Sequence, residues 1–147
     1  KDAFEKSKEY VLEQPVEETR PIIIVDDSKA IVLKIQGYLT NLGHTNIHSF
    51  YTGNDGLVGC RKLLKSNPIV LLDMSLPDTN GDVIANKILE EKPDAQIILI
   101  TADEKTTKRV KDTISSGVLA FIQKPFTIKE IKDALSTAES EYSLSKK

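Results

Sequence analysis

Short apolar runs divide the chain into segments in which apolar residues recur every three or four positions. The runs at 22–25, 69–72, 97–100 and 119–122 hold no charged residue and are rich in Ile, Val and Leu. Such uninterrupted runs are typical of strands that are buried on both faces of a sheet. The run at 46–51 alternates in polarity, so we predict a fifth strand at the edge of the sheet.

The segments between and after these runs have the spacing of helices. Ser28 is placed to begin the first helix, and Gly43 and Gly117 are placed to end the first and the fourth. Thr127 and Glu130 have the T-x-x-E spacing of a capping box, which predicts the start of the last helix. The predicted inward-facing residues are Ile31, Leu33, Ile35, Tyr38, Leu39 and Leu42 in the first helix, Leu57, Cys60, Leu63 and Leu64 in the second (about 54–66), Val83, Ile84, Ile88 and Leu89 in the third, Val110 and Ile114 in the fourth (about 104–116), and Ile128, Ile131, Leu135 and Ala138 in the fifth.

The alternation of strands and helices predicts the architecture. Strands that are joined by helices pair in parallel, and the helices cover both faces of the sheet, which is a doubly wound α/β fold. The 147 residues suit one domain of ordinary size. We expect this domain at 21–142, with 1–20 as an N-terminal extension or linker and 143–147 as a C-terminal tail.

The composition narrows the classes of function. A formal net charge of -2, with charges of both signs, argues against direct binding of nucleic acid. The longest apolar runs are far shorter than the roughly twenty residues that cross a bilayer, and the N-terminal stretch lacks the apolar core of a secretory signal. We therefore expect a cytoplasmic protein without membrane insertion. The chain begins at Lys1 and not at a Met, so it could be part of a longer protein.

Residues that are capable of phosphate chemistry follow the predicted strands. Asp26 and Asp27 follow the run at 22–25, and Asp73 follows the run at 69–72. Thr101 follows the run at 97–100, and Lys124 comes just after the run at 119–122. Because the carboxyl ends of neighbouring parallel strands meet at one edge of the sheet, we expect these side chains to converge there. Alone, an Asp or Thr at a strand end is commonly a helix cap, and a Lys-Pro pair is commonly part of a loop. Together, the five residues predict an active site.

The acidic residues at this edge need a cation. Two unit charges about 4 Å apart repel each other by about 4 kcal/mol at an effective dielectric constant of about 20. Three clustered carboxylates therefore favour a hard divalent ion with oxygen ligands, Mg²⁺ above all. Lys124 supplies a second positive charge and can pair with Asp73 or with a phosphoryl group attached to it. This set predicts a site where a carboxylate attacks phosphorus and forms an aspartyl phosphate.

Five short motifs accompany the predicted strands: Ile-Val-Asp26-Asp27-Ser28, Leu-Leu-Asp73-Met74, Leu76-Pro77 with Gly81, Ile100-Thr101-Ala102, and Phe121-Ile122-Gln123-Lys124-Pro125-Phe126. With these motifs the chain resembles the response-regulator receiver domains of two-component signalling. The resemblance covers residues from about 21 to 142. It implies a flavodoxin-like (βα)5 fold with strand order 2-1-3-4-5 and a site at the point where the strand order reverses.

The resemblance implies a phosphoacceptor and a set of metal ligands. Asp73 would accept the phosphoryl group. Asp27, Asp73 and the backbone carbonyl of Ser75 would bind Mg²⁺, and Asp26 would hold the ion chiefly through water.

The resemblance also implies how the phosphoryl group is bound and sensed. Lys124, the hydroxyl of Thr101 and the backbone amides of Ser75 and Ala102 would bind its oxygen atoms. Thr101 and Phe121 match the switch pair of the family, in which the hydroxyl moves toward the phosphoryl group and the ring turns inward. Phe121 lacks the hydroxyl of the commoner Tyr, so any hydrogen bond from that hydroxyl is absent here.

The implied function is a phosphorylation-activated switch, not an enzyme that turns over a substrate. Its partners would be a histidine kinase or phosphotransfer protein, and either a downstream protein or a second copy of the chain. The second contact would use the face of the fourth helix, fifth strand and fifth helix, where Leu119 begins the strand. Whether the domain acts alone or within a larger regulator stays open.

Two other functions stay open. One is a Mg²⁺-dependent phosphohydrolase with an aspartyl-phosphate intermediate, although the Asp-x-Asp of haloacid-dehalogenase-like enzymes is missing, since Ser75 stands two residues after Asp73. The other is a receiver-like interaction scaffold that is never phosphorylated.

Overall fold

Strands and helices alternate throughout the part of the chain that the computed structural model describes, residues 20–102 and 108–145. A single 3-10 turn, Leu64–Ser66, prolongs the second helix. The elements are β1 Ile22–Val25, α1 Lys29–Asn41, β2 Ile47–Phe50, α2 Gly53–Leu63, β3 Ile69–Asp73, α3 Gly81–Glu91, β4 Gln96–Thr101, α4 Lys108–Ser115, β5 Ala120–Gln123 and α5 Ile128–Ser145.

The five strands form one parallel sheet in the order β2-β1-β3-β4-β5. The predicted doubly wound fold, its strand order and the edge position of β2 are therefore confirmed. The register pairs Val25 with Leu72, and Leu72 with Leu99. As a result the central strands end almost level, and the residues that follow them lie side by side at the carboxyl-terminal edge of the sheet.

The two faces of the sheet are covered by different helices. Every residue of β1, β3 and β4 is buried, as the uninterrupted apolar runs predict. Side chains alternate between the faces of a strand, so Ile23 and Val25 pack with α2, α3 and α4, whereas Ile22 and Ile24 pack with α1 and α5. The central strands thus lie between two apolar layers, whereas the edge strands β2 and β5 are partly exposed.

Two of the predicted inward-facing helix residues are in fact exposed. Leu33 is 67% exposed and Val83 is 41% exposed, so the assignment of these two residues to the core was wrong. Val32, Ile35 and Leu39 form the buried stripe of α1 instead. Neighbouring residues point about 100° apart on a helix, so a stripe through Val32 turns Leu33 toward solvent.

The predicted helix caps are confirmed. The hydroxyl of Ser28 accepts a backbone N–H from the first turn of α1 at 3.2 Å. In the capping box before α5, the N–H of Thr127 donates to the Glu130 carboxylate at 2.9 Å, and the N–H of Glu130 donates to the Thr127 hydroxyl at 3.3 Å. Gly43 and Gly117 have φ values of +96° and +117°, which favour glycine at these turns.

The ordered contacts extend slightly past the predicted domain limits of 21 and 142. Arg20 donates to the backbone oxygen of Asn67 at 2.7 Å and also to the side chain of Gln96, and its guanidinium lies 4.0 Å from the centre of the Tyr142 ring. The helix α5 continues to Ser145. Residues 1–19, and the segment 103–107 that includes the predicted start of the fourth helix, lie outside the described residues.

Alanine substitutions in α1 test which of its faces is buried. Ile35→Ala removes a side chain with 0% exposure, so we expect it to lower the free energy of unfolding by about 2–5 kcal/mol. Leu33→Ala shortens an exposed side chain, so we expect a change within about 0.5 kcal/mol. Urea unfolding of both variants measures the difference. Equal losses in the two variants would contradict the assignment of the faces.

Candidate functional site

The candidate site lies where β1, β3, β4 and β5 end. Asp26 follows β1, Asp73 ends β3, Thr101 ends β4 and Lys124 follows β5. The ladder between neighbouring strands continues past their ends, since the N–H of Lys124 donates to the carbonyl oxygen of Thr101 at 2.7 Å. The edge is therefore held by backbone hydrogen bonds. The predicted convergence of side chains is confirmed for Asp26, Asp73 and Lys124, and the backbone of Thr101 lies at the same edge.

Three carboxylates form a cluster at this edge. Asp26, Asp27 and Asp73 each place an oxygen within 4.8 Å of the other two. Asp26 and Asp73 are almost completely buried, whereas Asp27 is exposed. The N–H of Ser28 donates to one oxygen of Asp26 at 2.9 Å and fixes its orientation. The cluster thus consists of two buried carboxylates and one carboxylate that is open to solvent.

Lys124 bridges the two buried carboxylates. Its Nζ lies 3.2 Å from Oδ2 of Asp26 and 3.1 Å from Oδ1 of Asp73. The side chain of Lys124 is mostly buried, with 24% exposure, so solvent screens this pairing less than at an open surface. The predicted pairing of Lys124 with Asp73 is confirmed.

The pKa values of Asp73 and Lys124 are both raised, for different reasons. Burial raises the pKa of Asp73, the neighbouring Asp26 raises it further, and Lys124 only partly opposes them. For Lys124, burial alone lowers the pKa, but the carboxylates of Asp26 and Asp73 together outweigh it and raise that pKa. Three carboxylates beside one ammonium leave an excess of negative charge, which a divalent cation would balance.

The loop between β3 and α3 lies against the Asp73 side chain. The N–H of Ser75 donates to the Asp73 carboxylate. The loop folds back on itself, because the N–H of Gly81 donates to the carbonyl oxygen of Met74 at 2.7 Å. A Cβ atom on Gly81 would overlap the backbone oxygen of Asp73, so only glycine allows the loop to close here. The backbone of Ser75 is thereby held next to the candidate phosphoacceptor.

A family model described as "Response regulator receiver domain" matches residues 22–136. The chain belongs to the response-regulator receiver family. A chemotaxis protein CheY homolog of Campylobacter jejuni is 31% identical over 118 residues, which are 78% of this chain and 88% of that protein. The probable C4-dicarboxylate response regulator DctR of Halalkalibacterium halodurans is 29% identical over 119 residues, 80% of this chain and 50% of its own length. The receiver domain spans about half the length of several curated relatives that it matches.

Solved structures agree with the fold of the receiver domain. A receiver domain protein from Clostridium thermocellum has a TM-score of 0.80 at 21% identity, covering 86% of this chain and 98% of its own. The CheX-CheY-BeF3-Mg+2 complex from Borrelia burgdorferi contains a chain with a TM-score of 0.75 at 25% identity, covering 80% of this chain and 87% of that one. Proteins of this family act as phosphorylation-dependent switches, and the acidic pocket of Asp26, Asp27 and Asp73 fits a phosphoacceptor and Mg²⁺ site.

The remaining predicted site residues lie near the same edge. Thr101 is buried at the end of β4, and Ala102 is exposed directly after it. Phe121 is half-buried in β5, where it pairs with Leu99 and packs against the core on the α2, α3 and α4 side. Strand alternation places Thr101 on the same face as Leu99. The two residues of the predicted switch pair therefore share one face of the sheet.

Several other residues have a structural role in the receiver domain. Cys60 is buried, and burial raises the pKa of its thiol to about 12, so it stays protonated as predicted for a core residue. Leu119 is half-buried against the core on the α1 and α5 side and precedes β5 instead of beginning it. Within residues 20–102 and 108–145, none of the helices combines the length and the apolar composition that a bilayer-spanning helix needs.

One contact next to the site could not be predicted from the sequence. Asp78 lies in the loop between β3 and α3, and its two carboxylate oxygens accept the backbone N–H groups of Gly53 and Asn54, each at 2.8 Å. The sequence around Asp78 indicates only a turn. Nothing in that local pattern shows that the turn faces the first residues of α2.

The pKa of Asp73 predicts how the unfolding temperature depends on this residue when no divalent ion is present. The folded-state pKa is raised, so the contribution of Asp73 to stability is lost as the pH rises through that pKa. Asp73→Asn keeps the shape and removes the charge. We expect the variant to unfold at a higher temperature than the parent at pH 7, by about 2–4 °C for each kcal/mol gained.

Thermal unfolding in the presence of a chelator measures this effect. The gap between variant and parent should close at a pH below the ordinary pKa of a carboxyl group, where Asp73 is protonated in both states. Asp55→Asn is the matched control, since Asp55 is exposed at the start of α2. A lower unfolding temperature for Asp73→Asn at pH 7 would contradict this charge balance.

Proposed function

We propose that this receiver domain is a signalling switch in which Asp73 accepts a phosphoryl group from a histidine kinase or a phosphotransfer protein. The observation that supports this most directly is the pairing of the buried Asp73 with Lys124, beside two further carboxylates at an open edge of the sheet. An isolated ion pair would not need the second and third carboxylates. Their excess negative charge is explained by a site that binds a cation together with a phosphoryl group.

The reaction is a displacement at phosphorus. A carboxylate oxygen of Asp73 attacks the phosphorus atom of a phosphohistidine and forms a P–O bond, while the P–N bond breaks and its electron pair stays on the imidazole nitrogen. Lys124 offsets negative charge on the phosphoryl oxygens. The Thr101 hydroxyl and the backbone amides of Ser75 and Ala102 donate hydrogen bonds to these oxygens as the charge develops.

The residues present fit a Mg²⁺ ion. Oxygen ligands and a residual negative charge are what this hard cation selects, and the cluster provides both. Asp27, Asp73 and the backbone carbonyl of Ser75 would hold the ion, with Asp26 acting chiefly through water. When bound, the ion supplies positive charge beside the phosphoryl oxygens.

Phosphorylation is read out through Thr101 and Phe121. The Thr101 hydroxyl moves toward the phosphoryl group, and the half-buried ring of Phe121 turns into the space behind it, which shifts the equilibrium between two surfaces of the domain. The surface that changes is formed by α4, β5 and α5. It binds a downstream protein or a second copy of the chain.

Replacing the phosphoacceptor tests its identity. Asp73→Asn should abolish phosphoryl incorporation from acetyl phosphate and Mg²⁺, because an amide oxygen is too weak a nucleophile to form the acyl phosphate. Intact mass spectrometry measures the incorporation. Asp55→Asn, an exposed carboxylate of α2, is expected to be labelled like the parent. Labelling of Asp73→Asn at one group per chain would show that another residue is the acceptor.

Replacing the ammonium tests the coupling between phosphorylation and response. Lys124→Ala removes the cation that touches both buried carboxylates, so we expect phosphorylation to persist while the conformational response weakens. Amide chemical shifts in α4 and β5, recorded with beryllofluoride and Mg²⁺, measure the response. Lys132→Ala, an exposed lysine on α5, serves as the control. Equal shift changes in Lys124→Ala and the parent would contradict this role.

A further inference from the structure

The contact between Asp78 and α2 joins two segments that are distant in the sequence. Asp78 lies at the tip of the loop between β3 and α3, whereas Gly53 and Asn54 form the start of α2. The fit is close, since a Cβ on Gly53 would lie 3.2 Å from Oδ1 of Asp78 and closer still to the Thr79 side chain. The carboxylate also meets the positive end of the helix dipole. The amides of Gly53 and Asn54 lower the pKa of Asp78, so the carboxylate stays charged at neutral pH.

Backbone contacts across the loop that carries Asp78 hold its two sides together. The N–H of Leu76 donates to the carbonyl oxygen of Thr79 at 3.2 Å, and Ser75 forms a β-bridge with Asn80 across the base of the loop. These backbone contacts leave little freedom for the loop to deform internally. A restraint on its tip at Asp78 therefore also restrains its base, where Ser75 lies beside Asp73.

The helix α2 does not depend on Asp78 for its own cap. The hydroxyl of Thr52 accepts the N–H of Asp55 at 3.0 Å, which is the cap within the helix's own sequence. Asp78 adds two charge-assisted hydrogen bonds from a different part of the chain. Because Thr52 already caps the helix, the main effect of these two hydrogen bonds is to fix the position of the loop.

We propose that Asp78 is a positioning residue: by fastening the loop to α2, it holds the backbone carbonyl and amide of Ser75 where Mg²⁺ and the phosphoryl group are bound. This inference rests on the proposed function, in which Ser75 contributes to both. Asp78 itself does not contact the ion or the phosphoryl group. Its effect is on how well the Ser75 backbone is placed before either arrives.

The test compares four versions of the 147-residue chain: the parent, Asp78→Ala, Asp78→Asn and Thr52→Ala. Thr52→Ala is the matched control, since it removes a cap from the same helix end and leaves the loop contact in place. Amide chemical shifts during titration with MgCl₂ alone give the Mg²⁺ dissociation constant. Hydrogen exchange of the loop amides without metal reports loop order, and labelling by acetyl phosphate at increasing Mg²⁺ separates the Mg²⁺ requirement from the maximal rate.

We expect Asp78→Ala to weaken Mg²⁺ binding by about tenfold, as loss of an outer contact to a metal site commonly does. Its labelling rate at saturating Mg²⁺ should stay within about twofold of the parent, because excess ion draws the loop back into place. Asp78→Asn keeps one acceptor oxygen, so its Mg²⁺ affinity should lie between those of the parent and Asp78→Ala. Thr52→Ala should unfold at a lower temperature while its Mg²⁺ affinity and loop exchange match the parent.

Two results would overturn the positioning role. One is an unchanged Mg²⁺ dissociation constant in Asp78→Ala, and the other is equal weakening in Asp78→Ala and Thr52→Ala, which would make Asp78 a helix cap only. Failure of the proposed function has a different signature, since the parent itself would then take up no phosphoryl group. Weaker Mg²⁺ binding in Asp78→Ala would still support the positioning role in that case.

Discussion

The repulsion between two buried carboxylates is the constraint on which the site depends. Asp26 and Asp73 sit side by side at the end of the sheet, and the Lys124 ammonium contacts both. Removing Lys124 would leave two buried carboxylates without the cation that contacts both, which is far more costly than the loss of an ion pair at a surface. The arrangement persists because backbone hydrogen bonds between neighbouring strands, not the charges themselves, set the distance between these side chains. The fold thus imposes an excess of negative charge that favours a cation and an anionic phosphoryl group together.

The sheet can impose this arrangement because it is apolar on both faces. The buried residues of β1, β3 and β4 pack between two helix layers. A slip of one strand by one residue would move each side chain to the opposite layer, where the packing is shaped for a different residue. Level strand ends follow from that register. The loops beyond the strands are less constrained, and contacts such as the closure at Gly81 and the bond from Asp78 to α2 restrain one of them.

Much of this could be predicted from the sequence, for a physical reason that differs between elements. The central strands are predictable, because apolar runs of four or five residues that are rich in β-branched side chains and bounded by polar residues or proline are too short for a buried helix. Helix faces are less certain: Leu33 and Val83 adjoin buried residues and are equally apolar, and a turn of 100° decides which of two neighbours faces the core. The contacts of Asp78 and Arg20 join residues far apart in the chain, and no local pattern encodes them.

The contacts of Arg20 have a consequence for how the molecule can be handled. Arg20 precedes β1 and touches Tyr142 near the end of α5, so these two points of the chain lie together at the amino-terminal edge of the sheet. The acidic cluster lies at the opposite edge, roughly 13 Å away along a strand of four residues. A fluorophore or surface tether attached beside Arg20 or Tyr142 would therefore sit at the edge of the sheet opposite the acidic cluster. Immobilisation beside Arg20 or Tyr142 would suit measurements in which the proposed phosphodonor approaches from solution.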